Sequence, residues 1–266
     1  MRNEVLSPCS FSDTIMATQF SVIIEAPENE GSCAQAVAEE VFFEIRRLES
    51  LLSRFVEDSE ISQINRLRHG EEVIVSPETH RCLELAQEAK RISDGHYDAA
   101  YLSQGVPSGQ EAFALLSRPL RVASLAESLT LDLGGIGKGF ALEQVSGIPV
   151  RYGYTRALLC ADGSTILALD PPLGAKGWPM QLEFDDRTET IELANESISC
   201  SGKTVRGEHI FDTQKRQYAT IRERAYVRMP SSALSDALAT AAMTMDEIAN
   251  LEQAISQTPG NSVKSS

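Results

Sequence analysis

Apolar residues recur at helical spacing near both ends of the chain and predict two long amphipathic helices. The first runs from about Ser32 to Ser53, where Ser32 and Gln35 match the capping box that starts a helix. The second covers about Ser232 to Gln253, close to the carboxyl terminus. The apolar stripes are Val37, Val41, Ile45, Leu48 and Leu52 in the first helix, and Leu234, Leu238, Ala241, Met245 and Ile248 in the second.

Three shorter helices are predicted between these two. One is expected over Ser59–Leu67. A second should start at Ser76-Pro77, because serine is a preferred N-cap and proline is favoured in the first helical position. It should run to about Ser93 and stop at Asp94-Gly95. The third is expected near Gly109–Leu116.

Short runs of β-branched and apolar residues predict strands, most of them in the middle of the chain. They are Gln19–Ala26, Leu129–Leu133, Ala157–Cys160, Ile166–Leu169, Met180–Phe184, Thr190–Leu193, Ser197–Ser201 and Ala225–Arg228. Early helices, central strands and a closing helix favour an α+β fold of mixed sheets with flanking helices over a regular βαβ repeat. We expect one domain over residues 1–266, with a core at 14–255 and a flexible polar tail at 256–266.

Composition narrows the possible partners. The 266 residues carry 24 basic and 38 acidic side chains, a net charge of −14, which argues against binding nucleic acid or anionic membranes. The chain contains no apolar run of about 18 residues, and its first residues lack the apolar core of a secretory signal, so we expect a cytoplasmic protein without a membrane span. The five cysteines form no C-x-x-C pair and are expected to be buried reduced thiols.

The stretch LDLGGIGKGFA at residues 131–141 places four glycines and one lysine where a helix is expected to begin. Glycine lets a backbone approach a ligand closely, and a helix N-terminus favours an anion. The Walker A pattern does not fit, because Asp132 stands where its first glycine belongs and Gly139 follows Lys138. The dinucleotide fingerprint also fails, since Phe140 occupies its third glycine position. A tight turn and a phosphate loop therefore both stay open.

Three other clusters are ambiguous when each is taken alone. Asp236 and Thr240 lie one helical turn apart, so they either offer hard oxygens to Mg²⁺ or Ca²⁺ or simply belong to an ordinary helix. His209 follows a glycine-rich turn and is either an acid–base group or a loop histidine. The segment DGHYD at residues 94–98 either shapes a pocket or is a turn after a helix.

Taken together and in order, these pieces resemble the ApbE family, the FAD:protein FMN transferases. The family has Met-Gly-Thr before a strand, which is similar to Met16-Ala17-Thr18. It then has a leucine pair, an aromatic residue and a Ser-Glu-(Ile/Leu)-Ser-x-(Ile/Leu)-Asn turn, which resemble LLSRFVEDSEISQIN at 51–65. Its Thr-Gly-Gly-x-(Phe/Tyr)-Asp loop resembles the segment at 94–98. Its Asp-Leu-(Ser/Gly)-Gly-Ile-Ala-Lys-Gly-(Tyr/Phe)-Ala motif resembles residues 132–141, with Gly137 where the family has alanine.

The carboxyl-terminal half continues the resemblance. The family's Thr-Ser-Gly is similar to Cys200-Ser201-Gly202, and its His-Ile-x-Asp is similar to the segment 209–212. Its Ala-Asp-x-Leu-Ala-Thr resembles residues 235–240. The chain departs from the family where HIFDTQKRQ lacks the proline and glycine that follow the aspartate. It also carries Asp162-Gly163 where the family has two glycines.

The resemblance implies an ApbE-like, T-fold-related fold and a specific reaction. FAD is bound with Mg²⁺, and a Thr or Ser hydroxyl of a target protein attacks the diphosphate. FMN becomes attached through a phosphoester, and AMP leaves. The implied partners are FAD and a protein segment of the type Asp-x-x-(Ser/Thr)-Gly-Ala-(Ser/Thr).

The resemblance also implies roles for particular residues. The implied catalytic residues are His209, Asp236 and Lys138, and the implied metal ligands are the Gly137 carbonyl, Asp236 and Thr240. The implied FAD-binding residues are Met16, Phe55, Tyr97, Asp98, Gly135, Lys138, Ser201, Gly202 and His209. The glycine-lysine turn and the closing helix should therefore converge on one divalent ion.

Two alternatives stay open at the level of sequence. A Mg²⁺-dependent FAD pyrophosphatase would use the same site with water as the acceptor and give FMN and AMP. A non-catalytic flavin-binding protein is the other, and the departures after Asp212 and at Asp162 favour it slightly.

Overall fold

A computed structural model of the chain describes residues 6–107, 109–202, 210–218, 221–256 and 260–265. The strands are β1 (Leu6–Ile15), β2 (Thr18–Pro27), β3 (Glu72–Ile74), β4 (Phe113–Ser117), β5 (Leu120–Ser124), β6 (Ala157–Ala161), β7 (Thr165–Ala168), β8 (Trp178–Glu183), β9 (Thr188–Leu193), β10 (Glu196–Gly202), β11 (Phe211–Asp212), β12 (Gln217–Tyr218), β13 (Arg224–Met229) and β14 (Ser262–Ser265). The helices are α1 (Gly31–Leu52), α2 (Glu60–Ile64), α3 (Pro77–Ile92), α4 (Gly137–Val145), α5 (Gly147–Arg151), α6 (Ser232–Ala242) and α7 (Ile248–Ile255).

The main sheet has seven strands in the order β1-β2-β6-β7-β10-β13-β14, and every neighbouring pair is antiparallel. Sequence analysis missed β1, which pairs with β2 along its whole length. The two strands are joined by Met16 and Ala17, both with φ of 54°. Two positive φ values are typical of a type I′ hairpin turn, for which Asn-Gly is the usual sequence signal, and that signal is missing here.

One face of this sheet is covered by helices. Helices α1, α4 and α6 pack against its strands, and α6 lies most deeply, since all its residues except Thr240 are buried. A helix that is buried on all sides is typical of a core position. Thr240 therefore marks the one place where α6 reaches an open space. The mixed α/β architecture with antiparallel sheets and flanking helices confirms the predicted fold class.

The opposite face of the sheet carries a second apolar cluster. The hairpin β8–β9 packs there, with Trp178 and Leu182 against Ile198 and Tyr226 of the sheet. A separate three-stranded sheet, β3-β5-β4, packs against α3. In the described part of the chain, no helix combines the length and apolarity needed to cross a membrane.

Most helix and strand predictions are confirmed, with strand boundaries displaced by at most two residues. Ser76 caps α3 as expected, because its hydroxyl accepts a hydrogen bond from Thr79 N at 3.2 Å. The cysteines are unpaired thiols, as predicted. Their predicted burial is correct for Cys82 and wrong for Cys33, which is exposed.

Two predicted elements are wrong. The helix expected near Gly109–Leu116 is instead β4, which pairs with β5; short apolar runs do not separate helix from strand by periodicity, and here pairing decided. The strand expected at Leu129–Leu133 lies outside any sheet. Side chains take the place of a neighbouring strand: Asn65 Oδ1 accepts from Leu131 N at 2.7 Å, and its Nδ2 donates to the Leu131 carbonyl at 3.0 Å.

The closing helix and the tail also differ from expectation. The helix predicted over Ser232–Gln253 is divided into α6 and α7. Arg222 lies at the break, where its guanidinium donates to the Ala242 carbonyl at 3.0 Å and to the carbonyl of Met245. Within the tail that was expected to be flexible, β14 instead pairs with β13 and closes the main sheet.

Candidate active site

The glycine loop, residues 132–137, leads directly into α4, and α4 packs against α6. The Asp132 carboxylate accepts a hydrogen bond from Gly134 N at 2.9 Å and so shapes the start of the loop. A Cβ atom at Gly139 would lie 2.0 Å from the Ser232 carbonyl oxygen. Ser232 also donates its hydroxyl proton to the Gly139 carbonyl at 2.7 Å. Glycine is required at position 139 because the two helix backbones touch there.

Asp236 lies at the centre of this contact and is 4 % exposed. Its Oδ2 accepts from Gly139 N at 3.0 Å, and its Oδ1 accepts from the Thr165 hydroxyl at 3.2 Å. Lys138 Nζ lies 3.5 Å from the same Oδ1. The glycine-lysine turn and the closing helix therefore meet within contact distance, and their convergence on a divalent ion stays a prediction.

Thr240 follows one helical turn later and faces the glycine loop. Its hydroxyl donates to the Asp236 carbonyl at 3.2 Å and lies 3.4 Å from Ser201 Oγ on β10. A Cβ atom at Gly135 would come within 3.2 Å of Thr240 Oγ1 and 3.1 Å of the Tyr97 ring. A side chain at position 135 would therefore crowd the space around Thr240.

These residues line a cleft of about 380 Å³. The residues predicted from sequence that line it are Phe55, Tyr97, Asp98, Gly135, Lys138, Ser201, Gly202, Asp236 and Thr240. Gly137 opens α4 beside the cleft without lining it, and Met16 lies in the β1–β2 turn, half-buried against the core. His209 lies outside the described residues. The roles of all these residues stay predictions.

Tyr97 and Asp98 contribute differently to the cleft. The Tyr97 side chain is buried and its hydroxyl has no hydrogen-bond partner among the described residues. Burial raises the pKa of Tyr97 well above its usual value, so the phenol is neutral. The Asp98 carboxylate is already engaged, since it accepts from Ala100 N at 2.8 Å and lies 3.0 Å from Lys90 Nζ.

The charged side chains that line the cleft are mostly acidic, which favours the binding of an added cation. Four carboxylates line it in the described part of the chain, against the two permanent cations Arg54 and Lys138; the carboxylates are Asp98, Asp132, Asp162 and Asp236. Lys90 already offsets Asp98, but a dianionic ligand would still meet three carboxylates against two cations, and a metal ion would offset this excess. Asp236 and Thr240 present carboxylate and hydroxyl oxygens on one side of α6, which suit a hard divalent ion. The side chains present therefore fit a Mg²⁺ ion.

Several cleft residues were not singled out from the sequence. Arg54 Nε lies 3.2 Å from Asp132 Oδ2, and Tyr101 and His96 also line the cleft. The motifs already recognised in the sequence contain Arg54, His96 and Asp132. Their polar character within those motifs was the sequence signal that could have identified them as cleft residues. Asp162 has φ of 54°, a region that favours glycine, which fits the two glycines that the family has there.

His96 is held in one orientation by Thr244, which lies in the turn after α6. Its Nδ1 lies 3.1 Å from Thr244 Oγ1, and that hydroxyl donates its proton to the Ala241 carbonyl at 3.1 Å. Because Thr244 has only one proton, we infer that His96 Nδ1 carries the hydrogen of this pair. Burial lowers the pKa of His96, and the charge of Lys215 acts in the same direction. Three nearby carboxylates, those of Asp212, Asp94 and Asp246, raise the pKa but do not cancel the effect of burial.

The His96 pKa predicts a pH dependence of stability. Because the folded-state pKa lies below the ordinary value of 6.5, the unfolded chain binds the proton more readily. Stability should therefore rise with pH until about pH 6.5 and gain nothing further from His96 above it. We expect the His96→Asn variant, which keeps a donor for Thr244, to show a smaller rise in Tm between pH 5 and pH 7. Identical pH profiles for the two proteins would contradict the assignment.

Comparison with solved structures gives close matches in fold. The chain is similar to the flavinyl transferase ApbE of Pseudomonas stutzeri in its apo form, with a TM-score of 0.82, 19 % identity, and coverage of 100 % of this chain and 96 % of that one. It is similar to the flavin transferase ApbE of Vibrio cholerae, with a TM-score of 0.82, 19 % identity and 98 % coverage of both chains. The ApbE protein of Thermotoga maritima gives 0.82 and 20 % identity, covering 97 % of this chain and 94 % of that one.

Sequence comparison identifies the family. A search of curated proteins finds no significant match. The sequence model of the ApbE family, however, matches residues 16–261, which include the glycine loop, the cleft-lining segments and all of α6. A match over this much of the chain shows that the protein belongs to the ApbE family.

Proposed function

We propose that this protein transfers FMN from FAD to a Thr or Ser hydroxyl of a target protein and releases AMP. The observation that carries the proposal is the 3.5 Å contact between Lys138 Nζ and Asp236 Oδ1 inside the cleft. It joins an anion-attracting loop to a carboxylate suited to a metal ion. Membership of the ApbE family supports the same activity, and so does the similarity in fold to two flavin transferases.

The proposed reaction is a phosphoryl transfer and balances without a redox partner. The acceptor oxygen forms a bond to the phosphorus of the FMN half of FAD. The bond from that phosphorus to the bridging oxygen of the diphosphate breaks, and AMP leaves with that oxygen. The hydroxyl proton passes to a base, and His209 is our proposed candidate for this transfer or for donating to a phosphate oxygen. Such a reaction depends mainly on positioning and charge neutralisation.

The chain's own groups can perform both tasks. Glycines at 134, 135 and 137 let the backbone approach the diphosphate closely, and Lys138 supplies a positive charge beside it. Ser201 Oγ and the backbone of Gly202 border the same space on β10. We propose that these groups hold the diphosphate while the acceptor approaches from the open side of the cleft.

We propose that a Mg²⁺ ion is held by Asp236, Thr240 and the Gly137 carbonyl. When bound, the ion would neutralise charge on the diphosphate and polarise its oxygens. Lys138 would then have to move away from Asp236 Oδ1, and its flexible four-carbon stem allows this. Thr165 and Gly139 would keep the carboxylate in place throughout, because their hydrogen bonds reach it from protein interior rather than from the cleft.

The flavin ring needs an apolar, aromatic surface, and the cleft offers Phe55 and Tyr97 for it. Phe55 is 83 % exposed and lines the cleft, so its ring is accessible to a ligand there. Tyr97 is buried beside Gly135 and contributes a fixed wall.

The proposal is tested by incubating the protein with FAD, Mg²⁺ and a protein or peptide carrying the Asp-x-x-(Ser/Thr)-Gly-Ala-(Ser/Thr) pattern. We expect the acceptor to gain the mass of one FMN and AMP to appear in equal amount. An acceptor with alanine in place of the Ser or Thr, and a reaction with EDTA, should give neither product. AMP release without any acceptor would instead indicate a pyrophosphatase, and bound but unconverted FAD would indicate a flavin-binding protein.

A further inference from the structure

Among the described residues, Arg54 makes the ring contact that can fix the position of the exposed Phe55 ring. The guanidinium carbon of Arg54 lies 4.5 Å from the centre of the Phe55 ring, within the range of a cation–π contact. Phe55 N donates to Ser53 Oγ at 3.3 Å, which holds the backbone but not the ring. Because the ring is 83 % exposed, the stacked guanidinium is its main restraint.

Arg54 is itself attached to the glycine loop. Its Nε lies 3.2 Å from Asp132 Oδ2, and Asp132 Oδ1 accepts from Gly134 N at 2.9 Å. Tyr101 OH lies 3.5 Å from the same Oδ2. One carboxylate thus connects the turn of the glycine loop to the guanidinium that covers Phe55.

We propose that Arg54 is a positioning residue that holds Phe55 as a stacking platform for the flavin ring and, through Asp132, fixes the platform relative to the glycine loop. The inference rests on the proposed function, because it needs a flavin in the cleft. A guanidinium can cover only one face of a phenyl ring, so the other face is available to a second planar group. Holding the ring in place before binding removes part of the entropy cost of ordering it.

Direct binding of a phosphate by Arg54 is the competing explanation. It is less favoured because the guanidinium already pairs with Asp132, which offsets its charge, and already stacks on Phe55. The two explanations differ in the ligands that they affect. A platform acts on every ligand with a flavin ring, whereas a phosphate contact acts on every ligand with a phosphate.

The test measures binding of FAD, riboflavin and AMP by calorimetry, with flavin fluorescence quenching as a second readout. In the Arg54→Met variant, which keeps an unbranched apolar stem but removes the guanidinium, we expect the Kd of FAD and of riboflavin to rise about three- to tenfold. The Kd of AMP should stay within about twofold. The Arg81→Gln variant is the matched control. Arg81 pairs with Glu84 on α3 and does not line the cleft, so its loss should change none of the three Kd values.

A double-mutant cycle asks whether Arg54 acts through the ring. In a Phe55→Ala background, Arg54→Met should add less than about a twofold effect on riboflavin binding, because the platform is already lost. The conservative Arg54→Lys variant keeps the charge without the planar stack and should restore only part of the affinity. In the Asp132→Asn variant, which keeps an oxygen for Gly134 N, quenching of bound riboflavin should decrease as in Arg54→Met.

The outcomes separate this inference from the proposed function. If Arg54→Met weakens AMP and FAD but leaves riboflavin unchanged, Arg54 is a phosphate ligand and the platform is refuted. Additive effects of the Arg54 and Phe55 changes would also refute it. In both cases unaltered protein still binds FAD, so the proposed function stands. If the unaltered protein binds neither FAD nor riboflavin, the proposed function fails and the platform fails with it.

Discussion

Replacing Asp236 with alanine is expected to abolish Mg²⁺-dependent transfer of FMN from FAD while leaving the fold largely intact. The carboxylate is the charged oxygen ligand of the proposed metal site and touches Lys138. The Asp236→Asn variant should lower kcat/KM at least about 100-fold, because the amide keeps the shape but not the charge. The measurement is FMN transfer by mass, with thermal unfolding of each variant.

The two substitutions differ in their effect on stability. Alanine leaves Gly139 N and the Thr165 hydroxyl without their acceptor, which should cost about 1–3 kcal/mol. Asparagine can accept from Gly139 N through its oxygen and can donate its amide to the Thr165 hydroxyl oxygen, so it should cost less than alanine. The matched control is Asp186→Asn, an exposed carboxylate in the β8–β9 turn, which should keep full activity. Unchanged flavinylation in Asp236→Asn would contradict the site.

Replacing Gly139 with alanine is expected to cause a large loss of stability. The new Cβ would lie 2.0 Å from the Ser232 carbonyl oxygen and 2.8 Å from Asp236 Cβ, so α4 and α6 must separate. Overpacking against backbone should cost at least about 3 kcal/mol and lower Tm by about 6–12 °C. Activity should fall too, since Gly139 N holds the Asp236 carboxylate.

The same loop supplies a matched control two residues earlier. A Cβ atom at Gly137 would meet no atom within 4 Å, and the family has alanine at this position. Gly137→Ala should therefore keep or raise Tm, by at most about 1 kcal/mol of stability, because alanine is the better helix former. Equal losses of Tm in the two variants would show that the backbone contact at Gly139 is not what makes alanine unfavourable there.

Local sequence signals predicted the elements whose own residues carry the information. The Ser76-Pro77 start of α3 and the helical stripe of α1 were correct because capping and amphipathicity act within a few turns. The antiparallel hairpin β1–β2 was missed because its Met16-Ala17 turn lacks the usual residues, and only pairing with β2 reveals it.

The errors share one cause, which is that a distant side chain or strand replaced a local signal. Asn65 supplies the hydrogen bonds that a neighbouring strand would give to Leu131. Arg222 binds carbonyls at the end of α6, so the helix stops without glycine or proline. The apolar patterns of Leu129–Leu133 and of the closing helix predict correctly which residues are buried. They contain no information about the hydrogen bonds from Asn65 and Arg222 that decide the local structure.

The sequence by itself identified the family, through six motifs in a fixed order, and with it nine of the residues that line the cleft; Arg54, His96 and Tyr101 were not among them. It did not determine how they meet. The backbone contact at Gly139, the hydrogen bonds that orient Asp236, and the connection from Asp132 through Arg54 to Phe55 depend on residues far apart in the chain. Only the tertiary structure decides such contacts, since they follow from the packing of α4, α6 and the main sheet and leave no periodic trace in any one segment.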